Sequence, residues 1–217
     1  MKQTQIAIDG PAGAGKSTVA KLLSKQLNFI YIDTGAMYRA ITLKALELNI
    51  NLEDESKFTF IDNTRFEFIN SKLYMDDLDV SEEIRTSEVA KNVSLVSSHL
   101  LVREKLVKMQ QVMAENLNVV MDGRDIGYVV LPNAKYKYYI TASIKERAKR
   151  RHLDNLDRGI KSDLSKIEAE IEKRDHFDSN RLHNPLKQAK DAILIDTSDL
   201  SITEVVKFIA EKIREDE

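Results

Sequence analysis

The chain reads as an α/β protein, a five-stranded parallel sheet flanked by helices in three layers, and three observations carry that reading. Five short apolar runs recur along its 217 residues, separated by segments with helical spacing. Four of the runs lead into an aspartate: Asp9, Asp33, Asp122 and Asp196. The first is followed at once by Gly10-Pro11-Ala12-Gly13-Ala14-Gly15-Lys16-Ser17, then Thr18. That stretch fits the phosphate-loop pattern G-x-x-x-x-G-K-[S/T] between a strand and a helix.

Ile6-Ala7-Ile8-Asp9 is the first strand, and the helix after the loop places Val19, Leu22, Leu23 and Leu27 on one apolar face, ending near Asn28. Phe29 to Ile32 reads as a second buried strand leading into a polar loop, Asp33-Thr34-Gly35. An amphipathic helix follows over Ala36 to Leu46, with Arg39 in its first turns. Asn51 to Thr64 is a polar helical segment. The period then changes: Phe66, Phe68, Leu73, Tyr74, Leu78 and Val80 alternate between the turn signals Asn70-Ser71 and Asp76-Asp77. A meander this short leans on neighbouring helices.

Helical pattern resumes from Ser81 to Ser97 and again from His99 to Asn116. Asn118 to Asp122 is the third strand of the main sheet, and Gly123-Arg124-Asp125-Ile126-Gly127 a tight charged loop at its carboxyl end. A salt bridge within the turn is one meaning of that pair; ligand contacts at the sheet's carboxyl edge are the other. Tyr136 to Ala142 is the fourth strand, and Ser143 with Glu146 forms a capping box for the next helix. Gly159, in Arg158-Gly159-Ile160, caps the other end of that helix. A charged helix runs from Leu164 to Asn180, Ala192 to Asp196 is the fifth strand, and Ser201 caps a last helix whose Val205, Val206, Ile209 and Ile213 are its buried stripe.

Lysine plus arginine total 33 against 35 acidic residues, a net charge of −2, which provides no global field for nucleic acid. Cysteine is absent, so disulfides and thiolate metal sites are excluded and a reducing, cytoplasmic location is expected. No apolar run is long enough for a bilayer, and Met1-Lys2-Gln3-Thr4 leads straight into a strand. The four histidines show no ligand spacing.

The glycine loop forms an anion cradle, with successive amides beside the positive end of a helix dipole. Gly10 through Thr18 would wrap phosphates, Lys16 would reach the outer ones, and the Ser17 hydroxyl would ligand Mg²⁺. Asp122 is placed like a Walker-B carboxylate, holding Mg²⁺ directly or through water. Arg147, Arg150 and Arg151 lie at i, i+3 and i+4, and Arg174, Asp178 and Arg181 at i, i+4 and i+7. Such faces are either solvated charge ladders or clamps for a migrating phosphoryl group.

Taken together, Ile8 to Thr18, Asp33-Thr34-Gly35-Ala36-Met37-Tyr38-Arg39, Asp122 to Gly127 and Arg174-Asp175 through Arg181 closely resemble the bacterial cytidylate kinase family. The resemblance covers nearly the whole length and includes the inserted meander. It implies one P-loop NTPase kinase domain over 1–217, with a nucleotide-binding subdomain inserted at about 36–98 and a lid at about 147–162. It further implies Mg-dependent transfer of the γ-phosphoryl of ATP to CMP or dCMP. The charge balance and the short apolar runs predict no nucleic-acid or membrane partner, and as nothing in the sequence requires a dimer, a monomer is expected. Thr34, Arg103, Asp125 and Arg181 would surround the cytosine, Arg39 and Arg124 the acceptor phosphate, and Ser94, Arg174 and Asp178 the sugar. Lys16, Arg124 and the lid arginines Arg147, Arg150 and Arg151 would carry catalysis. Thr34 stands where some relatives have serine, and the hydroxyl is kept. A carboxylate accepts from the cytosine amino group, whereas uracil presents the opposite pattern, so Asp125 would help reject UMP.

Two other readings fit the glycine loop alone. Another small-molecule P-loop kinase, for shikimate, a sugar acid or a different nucleotide, keeps the cradle but does not explain the arginine and aspartate set. A GTP-binding switch or an ATP-dependent nucleic-acid module would want an Asn-Lys-x-Asp run or a basic field, and the sequence has neither.

Overall fold

The structure, a computed structural model, describes residues 3–157 and 159–215. Met1, Lys2, Arg158, Asp216 and Glu217 lie outside the described residues, and so do the expectations that fall on them. Five parallel strands form the main sheet: β1 (Gln5–Asp9), β2 (Ile30–Asp33), β6 (Val119–Gly123), β7 (Tyr136–Thr141) and β8 (Ile193–Asp196). Their order is β2-β6-β1-β7-β8, which puts the strand before the glycine loop at the centre. A separate antiparallel sheet, β3 (Phe66–Ile69), β4 (Lys72–Met75) and β5 (Leu78–Asp79), is the expected meander, turning at Asn70-Ser71 and Asp76-Asp77 with positive φ at all four residues.

Alternation along the strands separates two cores. Ile6, Ile8, Val120, Tyr136, Tyr138 and Ile140 point to the face covered by α1 (Lys16–Leu27) and α7 (Ile202–Glu215), where Val205, Val206, Ile209 and Ile213 are buried as expected. Ala7, Val119 and Met121 point the other way, towards Ala114 at the end of α4 (Leu100–Ala114). A third core joins α2 (Thr34–Glu47), the meander, α3 (Ser87–Val96) and the start of α4. Finally, α5 (Ile144–Asp157) and α6 (Leu164–Asn180) pack on each other around Ala148, Ile167 and Ile171.

Several local expectations are corrected. β2 is an edge strand with Ile30 exposed, because strand order is a tertiary property that an apolar run does not encode. Asp33-Thr34-Gly35 is not a loop: Asp33 caps α2, its Oδ1 accepting from the Ala36 amide at 2.8 Å. Leu22 is 44 % exposed, since it faces a cavity of about 280 Å³ between α1 and the meander rather than the sheet. The segment after Asn51 is a 3₁₀ helix over Glu55–Asn63, and another 3₁₀ turn, Glu83–Arg85, precedes α3. The capping box on α5 is half made. Ser143 Oγ accepts from the Glu146 amide at 3.3 Å, but the Glu146 carboxylate turns to Lys149. The complete box is on α7, where Ser201 and Glu204 cap each other. Beyond α5, Gly159 has φ +71 and the Gly159 and Ile160 amides return to the Leu156 and Asn155 carbonyls, the Schellman pattern that its position called for.

Candidate active site

The glycine loop leaves β1 at Gly10, where φ is +145 and a Cβ would sit 1.9 Å from the Ile140 carbonyl oxygen, so no other residue fits. The loop ends in α1, whose first residues are Lys16 and Ser17. Lys16 is buried, and its Nζ donates to the Pro11 carbonyl at 2.7 Å. Burial, then repulsion from Arg124, pushes its ammonium down to about 7. Ser17 and Thr18 lie at the mouth of the loop, where Ser17 is exposed.

Asp122 shares the face of β6 that points to α1, and its Oδ2 accepts from Ser17 Oγ at 2.8 Å. Its Oδ1 accepts from the Tyr31 hydroxyl at 2.8 Å. Burial, reinforced by Asp33 directly opposite in the β2–β6 register, raises the Asp122 carboxyl to about 6, against the pull of Lys16 and the two hydroxyls. Burial likewise keeps the Tyr31 phenol neutral far above its ordinary range. Tyr31 is a site residue that sequence reasoning misses: an aromatic in an apolar run signals core, and nothing local reveals where its hydroxyl ends.

Asp9, one residue before the glycine loop, faces the opposite side of the sheet. Its two oxygens accept from the Ile126 and Gly127 amides, each at 2.8 Å, pinning the loop that carries Arg124 and Asp125 to the base of the phosphate loop. Burial, partly offset by those two amides, raises its carboxyl to about 7. After Asp125 the chain makes a π-helical stretch, Ile126–Val130, of a kind frequent at functional sites and absent from the sequence expectations.

Arg124 and Asp125 each pair elsewhere, which removes the turn-bridge reading. Arg124 Nε donates to Asp178 Oδ2 at 3.1 Å, and Arg174 Nε lies 3.9 Å from the same oxygen. Both arginines hold the Asp178 carboxyl below its ordinary range in spite of its burial. Asp125 pairs with Arg103, while Arg181 Nη2 stands 3.9 Å from its other oxygen. Arg103 is 1 % exposed, donates to the Ser97 carbonyl at 2.9 Å and lies over the Tyr38 ring. Arg181 sits one residue past α6 and also donates to the Asn184 carbonyl. Thr34 Oγ1 donates to the Asp122 carbonyl at 2.7 Å, and Arg39 pairs with Asp33 at 3.0 Å. Ser94 is half-buried on α3, and among the described residues no hydrogen bond or ion pair of its side chain joins it to this cluster.

The three arginines expected in a lid divide. Arg147 Nη1 donates to the Ala12 carbonyl at 3.1 Å and pairs with Asp175 at 2.7 Å, while its Nε donates to Ala142. Arg150 reaches the Ala14 carbonyl at 3.4 Å and both oxygens of Thr197, hydroxyl and carbonyl. Both brace the phosphate loop from behind. The Arg151 charge, in contrast, is felt by Arg174 together with those of Arg124 and Arg39; burial first and then this repulsion push Arg174 down to about 10. Among the described residues, the buried Nε atoms of Arg39, Arg103 and Arg174 and Oδ1 of Asp175 have no hydrogen-bond partner, as donors and acceptors awaiting a ligand would.

A phosphate loop after the central strand, a facing acidic strand end, and a ring of arginines at the carboxyl edge of a parallel sheet define a P-loop kinase. Solved structures agree on the fold: a shikimate kinase from Bacteroides thetaiotaomicron aligns with TM-score 0.52 at 14 % identity, covering 97 % of this chain and 98 % of that one. An uncharacterised protein from Eubacterium ventriosum aligns with TM-score 0.57 at 14 % identity, covering 98 % and 99 %. The family model described as cytidylate kinase matches residues 6–215, and the chain belongs to that family. Cytidylate kinases from Halalkalibacterium halodurans and Bacillus cytotoxicus are 48 % and 52 % identical to it, the first over 99 % of both chains, the second over 96 % of this chain and 95 % of its own. The family is one of nucleoside monophosphate kinases, enzymes that transfer a phosphoryl group, and its substrates are ATP and CMP.

Proposed function

We propose that the chain transfers the γ-phosphoryl group of ATP to CMP or dCMP with the help of Mg²⁺. One observation carries the reading: the field at Lys16 includes Arg124 and Arg174, and the field at Arg174 includes Arg124, Arg151 and Arg39. Donor lysine and candidate acceptor arginines thus repel one another, and although Asp9 and Asp122 offset part of this at Lys16 and Asp178 part of it at Arg174, an anion of several charges would relieve the rest. Two phosphate chains meeting end to end have that form.

A phosphate oxygen of the acceptor attacks the γ-phosphorus in line; its new bond forms as the bond to the β,γ-bridging oxygen breaks, and ADP leaves. The attacking oxygen is already anionic, so no strong base is required. Lys16 holds the outer phosphates, Arg39, Arg124 and Arg151 the migrating group and acceptor phosphate, and Arg147 and Arg150 keep the cradle in shape. Arg174 and Asp178 face the sugar, joined by Ser94 when the helices close. Thr34, Arg103, Asp125 and Arg181 surround the base, with Asp125 accepting from the cytosine amino group.

The residues present fit Mg²⁺. Ser17 and Asp122 offer hard oxygens side by side, beside a second carboxylate on Asp33 that leaves the pair short of positive charge. Among the described residues no group of three or more His, Cys, Asp or Glu side chains is gathered to hold a metal ion, and an ion that keeps phosphates and waters as its other ligands needs none. When bound, it would neutralise and orient the β- and γ-phosphates, held by Ser17 and Asp122 directly or through water. The inserted subdomain, about 36–98, and the lid, about 147–162, close over the cleft and exclude water. The net charge of −2 supports the absence of a nucleic-acid partner, and the absence of cysteine fits a reducing, cytoplasmic location; the chain is proposed to act as a monomer away from membranes. No described helix is long and apolar enough to cross a membrane.

A coupled assay with ATP and CMP, dCMP, UMP or AMP tests the reading. CMP and dCMP should exceed the others in kcat/KM by about 10² or more, as expected where a buried polar group reads the base. Equal turnover of AMP would overturn it.

A further inference from the structure

We propose that Tyr31 is a positioning residue, its hydroxyl aiming the Asp122 carboxylate at the divalent cation beside Ser17. The proposal rests on the metal-side role given to Asp122 above. Tyr31 stands opposite Val120 in the parallel β2–β6 register, two residues before the Asp33–Asp122 pair, and shares the α1-facing side of the sheet with both Val120 and Asp122. From there its ring packs on the core under α1 while its hydroxyl reaches Asp122 Oδ1 at 2.8 Å.

Ser17 Oγ occupies the other oxygen at 2.8 Å. The two hydroxyls differ in what they can do. Ser17 is exposed at the loop mouth and free to turn towards a cation, whereas Tyr31 is anchored by its ring and can only hold. With Oδ1 fixed by Tyr31, the carboxylate cannot rotate, and Oδ2 stays directed at the space in front of Ser17. Without the phenol, Asp122 Oδ1 would lose that partner, only Ser17 would hold the carboxylate, and the cation would lose a preset ligand. Outer partners of this kind typically set metal affinity by about tenfold or more.

The test is Tyr31→Phe, which keeps the ring in the core and removes only the hydroxyl. Mn²⁺, followed by its paramagnetic resonance signal, is titrated into protein saturated with ADP, beside native protein and Asp122→Asn. About tenfold weaker Mn²⁺ binding is expected for Tyr31→Phe, with its melting temperature and KM for CMP near native and kcat recovering at high Mg²⁺. Native Mn²⁺ affinity in Tyr31→Phe, with Asp122→Asn weakened, would overturn the role of Tyr31 and leave Asp122 in place. Native affinity in both variants would remove Asp122 from the metal and Tyr31 with it. A uniform loss of kcat that no concentration of Mg²⁺ restores would also count against positioning.

Discussion

Arg147 and Asp175 form an ion pair at 2.7 Å that ties the α5 and α6 helices to each other, and through the Ala12 carbonyl Arg147 carries the tie to the back of the phosphate loop. The same α6 helix bears Arg174 and Asp178, the latter paired with Arg124. The phosphate loop and the residues proposed for the acceptor are therefore fastened to one helix pair, and a displacement of α6 would move both together. Arg147 belongs to this frame, and Arg151 is the arginine of the proposed lid whose charge is felt by Arg174.

That division separates two substitutions. Arg147→Ala removes donors from Ala12 and Ala142 and leaves Asp175 without its cation, at a cost of about 3 kcal/mol, the low end for a buried pair because Asp175 is partly exposed. For a chain of this size Tm should drop by about 6–12 °C. Arg151→Ala should leave Tm close to native and lower kcat by about 10² to 10³, the range for losing one group that neutralises a transferring phosphoryl. Thermal melts and steady-state kinetics on both variants distinguish them; an Arg151→Ala enzyme with native kcat would contradict the assignment.

Lys16 makes a prediction about protons. Its ammonium is pushed down to about 7 by burial and by Arg124, so at pH 8 much of it is neutral in the empty protein. Phosphate oxygens favour the charged form and lift the value back towards the ordinary range of lysine. The bound state then holds more protons than the free state, so ATP binding at pH 8 takes a proton up, and affinity falls as pH rises above 7 by at most about tenfold per unit. Calorimetry at pH 8 in buffers of different ionisation enthalpy measures this uptake. Lys16→Arg, permanently charged, should abolish it. Proton release by the native protein would show that the sign is wrong.

Much of this was legible in the sequence because the signals are local. The glycine loop, the apolar runs leading into Asp9 and Asp122, and the Asn70-Ser71 and Asp76-Asp77 turns each depend on neighbours a few residues away, and each folds as expected. What was not legible depends on which faces meet. Arg147, Arg150 and Arg151 share one face of α5 by spacing, but only packing against the loop decides that two of them brace carbonyls. Leu22 fits the apolar stripe of α1, yet lies where the helix turns from the sheet towards the meander. Tyr31 acts through one hydrogen bond and Asp9 through two, to residues about a hundred positions away, which no periodicity records.

Asp125 is the residue on which base choice should turn. One of its oxygens is taken by Arg103, which is 1 % exposed, and the other faces Arg181 at 3.9 Å, too far for a hydrogen bond. Asp125→Ala would strand the Arg103 charge in the interior at about 3–5 kcal/mol and confuse stability with recognition. Asp125→Asn keeps the shape and replaces one acceptor oxygen by a donor. The cytosine amino group then loses its partner while the uracil carbonyl gains one. The ratio of kcat/KM for CMP over UMP should fall by about 10², with KM for ATP unchanged. If the asparagine variant keeps native discrimination, the base is read by Arg103 and Arg181 alone, and Asp125 serves only to hold them.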